Sequence, residues 1–157
     1  KNIIGPSTTA LATCSSAATI PINIKYTKEM GVPSDIAETT IPMGTSFHKD
    51  GSVVGSAFKI MFLIYLFGKD INILTISGVS LLSTLLITAV PIGGGTISEM
   101  FILQILGFPS SALPILSIIA TIIDAPATVL NVVGDSCSSL IVARIIDGKN
   151  FLKLNRK

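Results

Sequence analysis

The chain has 157 residues, 49% of them hydrophobic and only 13% charged, with a formal net charge of +2 and a mean hydropathy of +0.75, whereas an ordinary soluble domain is about 25% charged. That balance excludes a disordered or collagen-like chain and is too weakly basic for a nucleic-acid surface. Cys14 and Cys137 lie far apart and there is one histidine, which excludes a disulfide scaffold and a zinc site; the apolar runs exceed what a soluble core takes from single elements, so the chain reads as an all-α multi-pass membrane protein.

Lys1 to Gly5 lacks the layout of a signal peptide and does not begin with Met, so the chain is expected to start inside a longer protein. The first interval, Asn2 to Ile24, carries no charge. A mixed polar patch follows (Lys25, Lys28, Glu29, Asp35, Glu38), then a mostly apolar stretch from Thr39 to Gly68, interrupted by His48, Lys49, Asp50 and by Lys59. Lys69 and Asp70 mark a loop. Ile71 to Ser98 and Met100 to Ile123 are free of charge and separated only by Glu99; each matches the roughly 20 apolar residues that span a bilayer core. The last apolar segment, Leu113 to Ile146, carries Asp124, Asp135 and Arg144 and leads into a basic tail of Lys149, Lys153, Arg156 and Lys157, which the positive-inside rule puts in the cytoplasm.

Helix breakers are expected at membrane depth in three places: Gly5-Pro6 with the polar run to Ser16, Pro42 to Asp50, and Val90-Pro91 followed by Gly93, Gly94 and Gly95. An unpaired backbone group in hydrocarbon costs several kcal/mol, so irregular chain is tolerated there only when buried in protein or lining a wet cavity. Three breaks in so short a chain imply a cavity. Ile71 to Phe108, Gly-rich at its middle, reads as a re-entrant helical hairpin; two ordinary helices with a tight turn are the competing reading.

Ionisable groups inside membrane segments are expensive and mark sites, which singles out Asp50, Asp124 and Asp135. Asp124, Thr128, Asn131 and Asp135 are spaced i, i+4, i+7, i+11, so on a helix they share an arc of roughly 60°. With apolar flanks, such a stripe is either a binding face or a hydrogen-bonded structural seam. Around Thr45 to Ser52, an unwound turn between Gly44 and Gly51 frees carbonyl oxygens, and Asp50 adds a carboxylate of the kind that holds hard cations. Lys49 can equally neutralise Asp50, and His48 either carries a proton or donates a structural hydrogen bond. Enzyme signatures are weak: Gly134-Asp135-Ser136 has no nearby base, and the triglycine lacks the Lys and preceding strand of a phosphate loop, so the chain is not expected to be an enzyme.

Taken together, the Thr13 to Pro21 turn, Lys28-Glu29-Met30-Gly31, the interrupted Ile41 to Ser52 segment, Val90-Pro91 with its glycines, and Asp124-x-x-x-Thr128-x-x-Asn131 through Gly134-Asp135 resemble the dicarboxylate/amino acid:cation symporter family, the glutamate-transporter homologues. The match runs from Leu11 to Lys149. It implies a partial transport domain: residues 1–30 the end of a first re-entrant hairpin, 34–68 a broken transmembrane helix, 71–108 a second re-entrant hairpin, 113–147 a helix with a polar stripe, and 148–157 a cytoplasmic tail, with the N-terminal scaffold half missing. The resemblance further implies a multi-pass protein of a bacterial-type inner membrane and a homotrimer built through that scaffold. Carried over residue by residue, substrate contacts are Ser15, Ser16, Ser52, Val90, Gly94, Asp124, Thr128 and Asn131. Cation contacts are Gly44, Ser46, His48, Asp50, Asn131 and Asp135.

The family's Asn-Met-Asp-Gly-Thr is here His48-Lys49-Asp50-Gly51-Ser52, and Lys49 offers an ammonium in place of a bound sodium. Ala127 and Cys14 stand where acid-selective members carry an arginine, which removes the bidentate donor for a second carboxylate. The expected function is symport by an elevator-type motion of a small amino acid, a neutral one favoured, or a dicarboxylate, with sodium favoured over the proton as coupling ion and no other cofactor. A truncated, non-transporting membrane protein or assembly subunit is the alternative, and a channel a third.

Overall fold

In the computed structural model, residues 2–89 and 94–148 are described. They form seven α-helices: α1 (Ile4–Thr13), α2 (Ser16–Glu29), α3 (Ser34–Phe47), α4 (Asp50–Phe67), α5 (Ile73–Ala89), α6 (Gly94–Ile105) and, after a 3-10 turn at Ser110–Ala112, α7 (Leu113–Asp147). No strand occurs among the described residues. Two stretches, Ser34–Phe67 and Ser110–Asp147, are long and apolar enough to cross a membrane.

The helix boundaries follow local chemistry. α1 stops at Cys14, whose left-handed backbone (φ 48°) lets its N–H reach the Ala10 carbonyl, and α2 starts where the Ser15 side chain accepts from the Ala18 N–H at 3.2 Å. The break is therefore confined to Cys14-Ser15. Gly5 and Pro6, expected to break the chain, lie inside α1; in a first helical turn the missing proline N–H has no intrahelical acceptor to lose. Pro42 is likewise accommodated within α3, so the second interruption narrows to His48-Lys49, with Asp50, Gly51 and Ser52 already helical. Of the third break, residues 90–93 lie outside the described residues, as does the basic tail from 149 onward; Gly94 and Gly95 open α6. Between α4 and α5, the Asn72 side chain accepts from the Thr75 N–H at 2.8 Å. Lys69 closes the other end of the α5–α6 pair, its ammonium donating to the Leu106 and Gly107 carbonyls at 2.8 and 2.5 Å, where the negative end of a helix favours a cation. Gly107 has φ 64°, a conformation a side chain resists, and a Cβ there would lie 3.2 Å from that ammonium.

The chain divides into two compact units, Lys1–Asp50 with Thr128–Lys157, and Gly51–Ala127. In the first, α1 folds back on α2, Gly5 lying against the Tyr26 ring. α2 presents a buried stripe of Ser16, Thr19, Asn23 and Thr27. Asn23 donates to the Val132 carbonyl at 3.1 Å and accepts from Ser136 at 2.6 Å, while Thr40 and Ser139 meet at 2.5 Å; a small cluster of Val32, Ile36, Ala37 and Ala143 completes the contact of α3 with α7. In the second unit, α4, α5, α6 and the start of α7 pack through Ile60, Leu63, Val79, Ile102, Phe108 and Leu116.

Beside this apolar core, many small polar residues are buried and many large apolar ones exposed. Ser80, Ser83, Thr84, Ser98, Ser136 and Ser139 are buried, whereas Phe58, Met61, Tyr65, Leu82, Ile118 and Ile122 are exposed. Small polar residues at helix contacts and apolar ones facing outward are what a lipid surround demands.

Candidate functional site

The polar stripe expected on the last long helix is present on α7, and its burial is graded. Asp124 is exposed, Thr128 and Asn131 are buried, and Asp135 is 0% exposed. A carboxylate so deeply enclosed must have its oxygens engaged. Asp135 accepts from Thr45 through Oδ2 at 3.1 Å and meets His48 Nδ1 through Oδ1 at 3.3 Å. Both partners come from the end of α3 and the residue that follows it, so the interruption is fastened to α7 through one acidic group.

Close approach of the elements is secured by two glycines. Gly44 passes directly against the Asp135 carboxyl, and Gly134 directly against the His48 ring, where a Cβ would also lie 3.4 Å from Asp50 Oδ2. The other ring nitrogen, Nε2, is 4.0 Å from Asp50 Oδ2. The imidazole thus stands between two carboxylates, within hydrogen-bond reach of Asp135 and at ion-pair distance from Asp50. Asp50, in the first turn of α4, points its charge where the positive end of a helix favours it. Within the first unit the structure therefore brings together Gly44, His48, Asp50 and Asp135 of the expected cation set, with the Thr45 hydroxyl beside them. Ser46 is exposed and its hydroxyl donates back to the Pro42 carbonyl at 3.1 Å. Carboxylate, hydroxyl and carbonyl oxygens are the donors a hard cation takes, and the imidazole suits a proton equally.

Of the expected substrate contacts, Ser15 spends its side chain on capping α2 and Ser16 opens that helix, largely buried. Ser52 lies in the first turns of α4 and Gly94 at the start of α6, and Val90 falls outside the described residues. Asp124 belongs to the second unit, and Thr128 and Asn131, which continue its stripe along α7, to the first. Ala127 is nearly buried, and a Cβ placed on Gly55 of α4 would lie 3.9 Å from the Ala127 Cβ and 2.9 Å from Ile123 Cγ2. The helices press together at this position without room for a long side chain.

Two polar groupings have no single-segment signature. The Asn23–Ser136 pair depends on two segments more than a hundred residues apart, although the i, i+3, i+7, i+11 spacing of the α2 stripe is visible in the sequence. Lys59 and Glu99, the two lone charges of otherwise neutral stretches, meet at 3.3 Å.

Comparison with known proteins adds an independent line. Residues 1–145 match the sequence model of the sodium:dicarboxylate symporter family. The chain is 32% identical over 144 residues to the human protein "Neutral amino acid transporter A", covering 89% of this chain and 27% of that protein. It is 31% identical to the "Proton/glutamate-aspartate symporter" of Escherichia coli (86% and 31% covered). It is also 31% identical to the "Proton/sodium-glutamate symport protein" of Bacillus caldotenax (86% and 32%). The chain thus spans between a quarter and a third of the length of these relatives. No solved structure matches.

Proposed function

The chain belongs to the sodium:dicarboxylate symporter family, a family of multi-pass membrane transporters rather than enzymes, and from that premise we propose that it forms the transport core of a secondary symporter. Its cargo is a small amino acid, neutral side chains favoured, or a dicarboxylate, carried with a coupling cation, sodium favoured over the proton, by an elevator-type motion. The segments take the parts the resemblance assigns: 1–30 and 71–108 the re-entrant hairpins, 34–68 the broken helix, 113–147 the striped helix and 148–157 a cytoplasmic tail in a bacterial-type inner membrane, within a homotrimer.

The observation that carries this reading is Asp135, fully buried and bound by Thr45 and His48 at the helix interruption. A lone carboxylate is costly at that depth unless a positive partner visits it. In this assignment, Gly44, Ser46, His48, Asp50, Asn131 and Asp135 receive the cation, and Lys49 stands by as an ammonium surrogate. Asp124 receives the ammonium of the substrate, with Thr128 and Asn131 beside it and Ser15, Ser16, Ser52, Val90 and Gly94 completing the enclosure. Ala127, packed where Gly55 passes, supports a neutral side chain, because no guanidinium is available there to grip a second carboxylate.

The test is uptake of radiolabelled serine, alanine, glutamate, aspartate and succinate into proteoliposomes holding the full-length protein, under a sodium gradient and separately under a proton gradient. Sodium-driven uptake of neutral amino acids is expected. Uptake of acidic substrates driven by protons alone would reverse both assignments, and no uptake of any of them would favour the non-transporting alternative.

A further inference from the structure

The second unit holds a charged cluster that the proposed cation and substrate contacts leave unused. Lys59 of α4 and Glu99 of α6 are 7% and 3% exposed, with Lys59 Nζ 3.3 Å from Glu99 Oε1. The second oxygen, Oε2, accepts from Ser117 of α7 at 2.9 Å. One carboxylate therefore ties three helices. If gluing helices were its only task, an apolar trio of similar volume would serve as well or better, since replacing a buried ion pair by packed hydrophobic residues is often neutral or stabilising.

The position of the cluster points to a task. Ser117, which anchors Glu99 at 2.9 Å, precedes Asp124 by seven residues, two turns or about 10 Å along the same face of α7. Two carboxylates and one ammonium leave a net single negative charge, which the ammonium of an amino acid neutralises. Without Glu99, the Lys59 ammonium is left to Asp124 and competes with the ligand for it. Without Lys59, Glu99 is left as a buried charge with no cation beside it, and its negative charge adds to that of Asp124 on the same face.

We propose that Lys59 and Glu99 are positioning residues for the substrate site: Glu99 holds the Lys59 ammonium, with Ser117 as its second anchor, so that Asp124 offers its negative charge to the ammonium of an amino-acid ligand. The proposal rests on the assignment of Asp124 to that ammonium.

The experiment measures uptake of alanine, serine and succinate by the full-length protein in proteoliposomes, for the wild type, Glu99→Gln, Lys59→Met and the double variant, with melting temperatures in detergent. Glu99→Gln is expected to raise KM for alanine and serine about tenfold while the maximal rate changes little, because ground-state binding is what is lost. Succinate, which has no ammonium, does not share the rise. The double variant, which restores the charge balance, returns KM to within about threefold of wild type, a coupling that the double-mutant cycle isolates. Ser117→Ala keeps both charges and gives a smaller rise of the same kind, so it reads the proposal even where Glu99→Gln fails to insert.

An unchanged KM in Glu99→Gln, an equal rise for succinate, or a double variant no better than the singles overturns the proposal. A purely structural clasp would instead lower the melting temperature and the maximal rate together. A wild type that takes up neither alanine nor serine overturns the neutral-amino-acid assignment on which the proposal rests, a result distinct from a wild type that transports them with a KM indifferent to Glu99.

Discussion

Replacing Gly44 by alanine sets two opposed effects against each other at the heart of the candidate cation site. Within a helix, alanine is favoured over glycine by about 0.5–1 kcal/mol, so propensity alone makes Gly44→Ala more stable. The added methyl, however, falls on the Asp135 carboxyl, whose Cγ would be 2.9 Å away and whose Oδ1 would be nearer still. Asp135 is fully enclosed and held at both oxygens by Thr45 and His48, so it can retreat only by giving up a bond. Overpacking costs about 1–3 kcal/mol and a hydrogen bond to a charged group contributes about 1.5–3 kcal/mol, which together outweigh propensity and leave a net loss of about 2–5 kcal/mol. Gly78 in α5 is the control, because a Cβ there meets nothing within 4 Å and Gly78→Ala gains only the propensity. Thermal unfolding in detergent should show Gly44→Ala melting below wild type and Gly78→Ala at or above it. The cation concentration for half-maximal uptake should rise at least about tenfold in Gly44→Ala, the equivalent of 1.4 kcal/mol. If Gly44→Ala melts no lower than wild type and keeps its cation dependence, the carboxyl has room to move and α3 does not pin it.

Asp124→Asn removes the charge assigned to the substrate ammonium and is expected to weaken amino-acid binding about a hundredfold, in the range of a lost charge-assisted hydrogen bond; ligand-induced stabilisation in a melting assay reads it without transport. Asn23→Leu removes one bond from the Val132 carbonyl and one from Ser136, leaving them only their 3.3 Å bond to each other, and should lower stability by about 1–3 kcal/mol, with Ser136→Ala in the same background adding less than it does alone. Ala127→Arg, which a charge argument alone would expect to confer acidic-substrate uptake, instead meets α4 at Gly55 and should lower both melting temperature and uptake of every substrate. Aspartate transport gained at unchanged stability would refute that packing argument.

What could be read from the sequence depended on whether the deciding physics was local. The charge-free run to Ile123 and the i, i+4, i+7, i+11 stripe gave α7 and the order of its polar residues, because helical period is a property of one segment. The extent of the breaks was overestimated. Pro6 sits where a helix has no N–H bond to lose, and Pro42 is carried inside α3 without ending it, so of the first two expected breaks only Cys14-Ser15 and His48-Lys49 interrupt the helix. The His48–Asp135 contact could be listed as two candidates but not joined, since 87 residues separate them. Lys59 and Glu99 were visible as isolated charges, and only the packing of α4, α6 and α7 reveals that each exists for the other.

The exposed apolar residues and buried small polar ones of this chain change the usual arithmetic of tolerance. Trimming Tyr65 or Ile118, both exposed, opens no cavity within the packed helices. Removing one hydroxyl from Ser139 or one amide from Asn23, both buried, strips a contact that no solvent can replace. Variation along this sequence is therefore cheap at its outward-facing large apolar residues, and dear both at the buried core of Ile60, Leu63, Ile102 and Leu116 and at the small polar residues between helices.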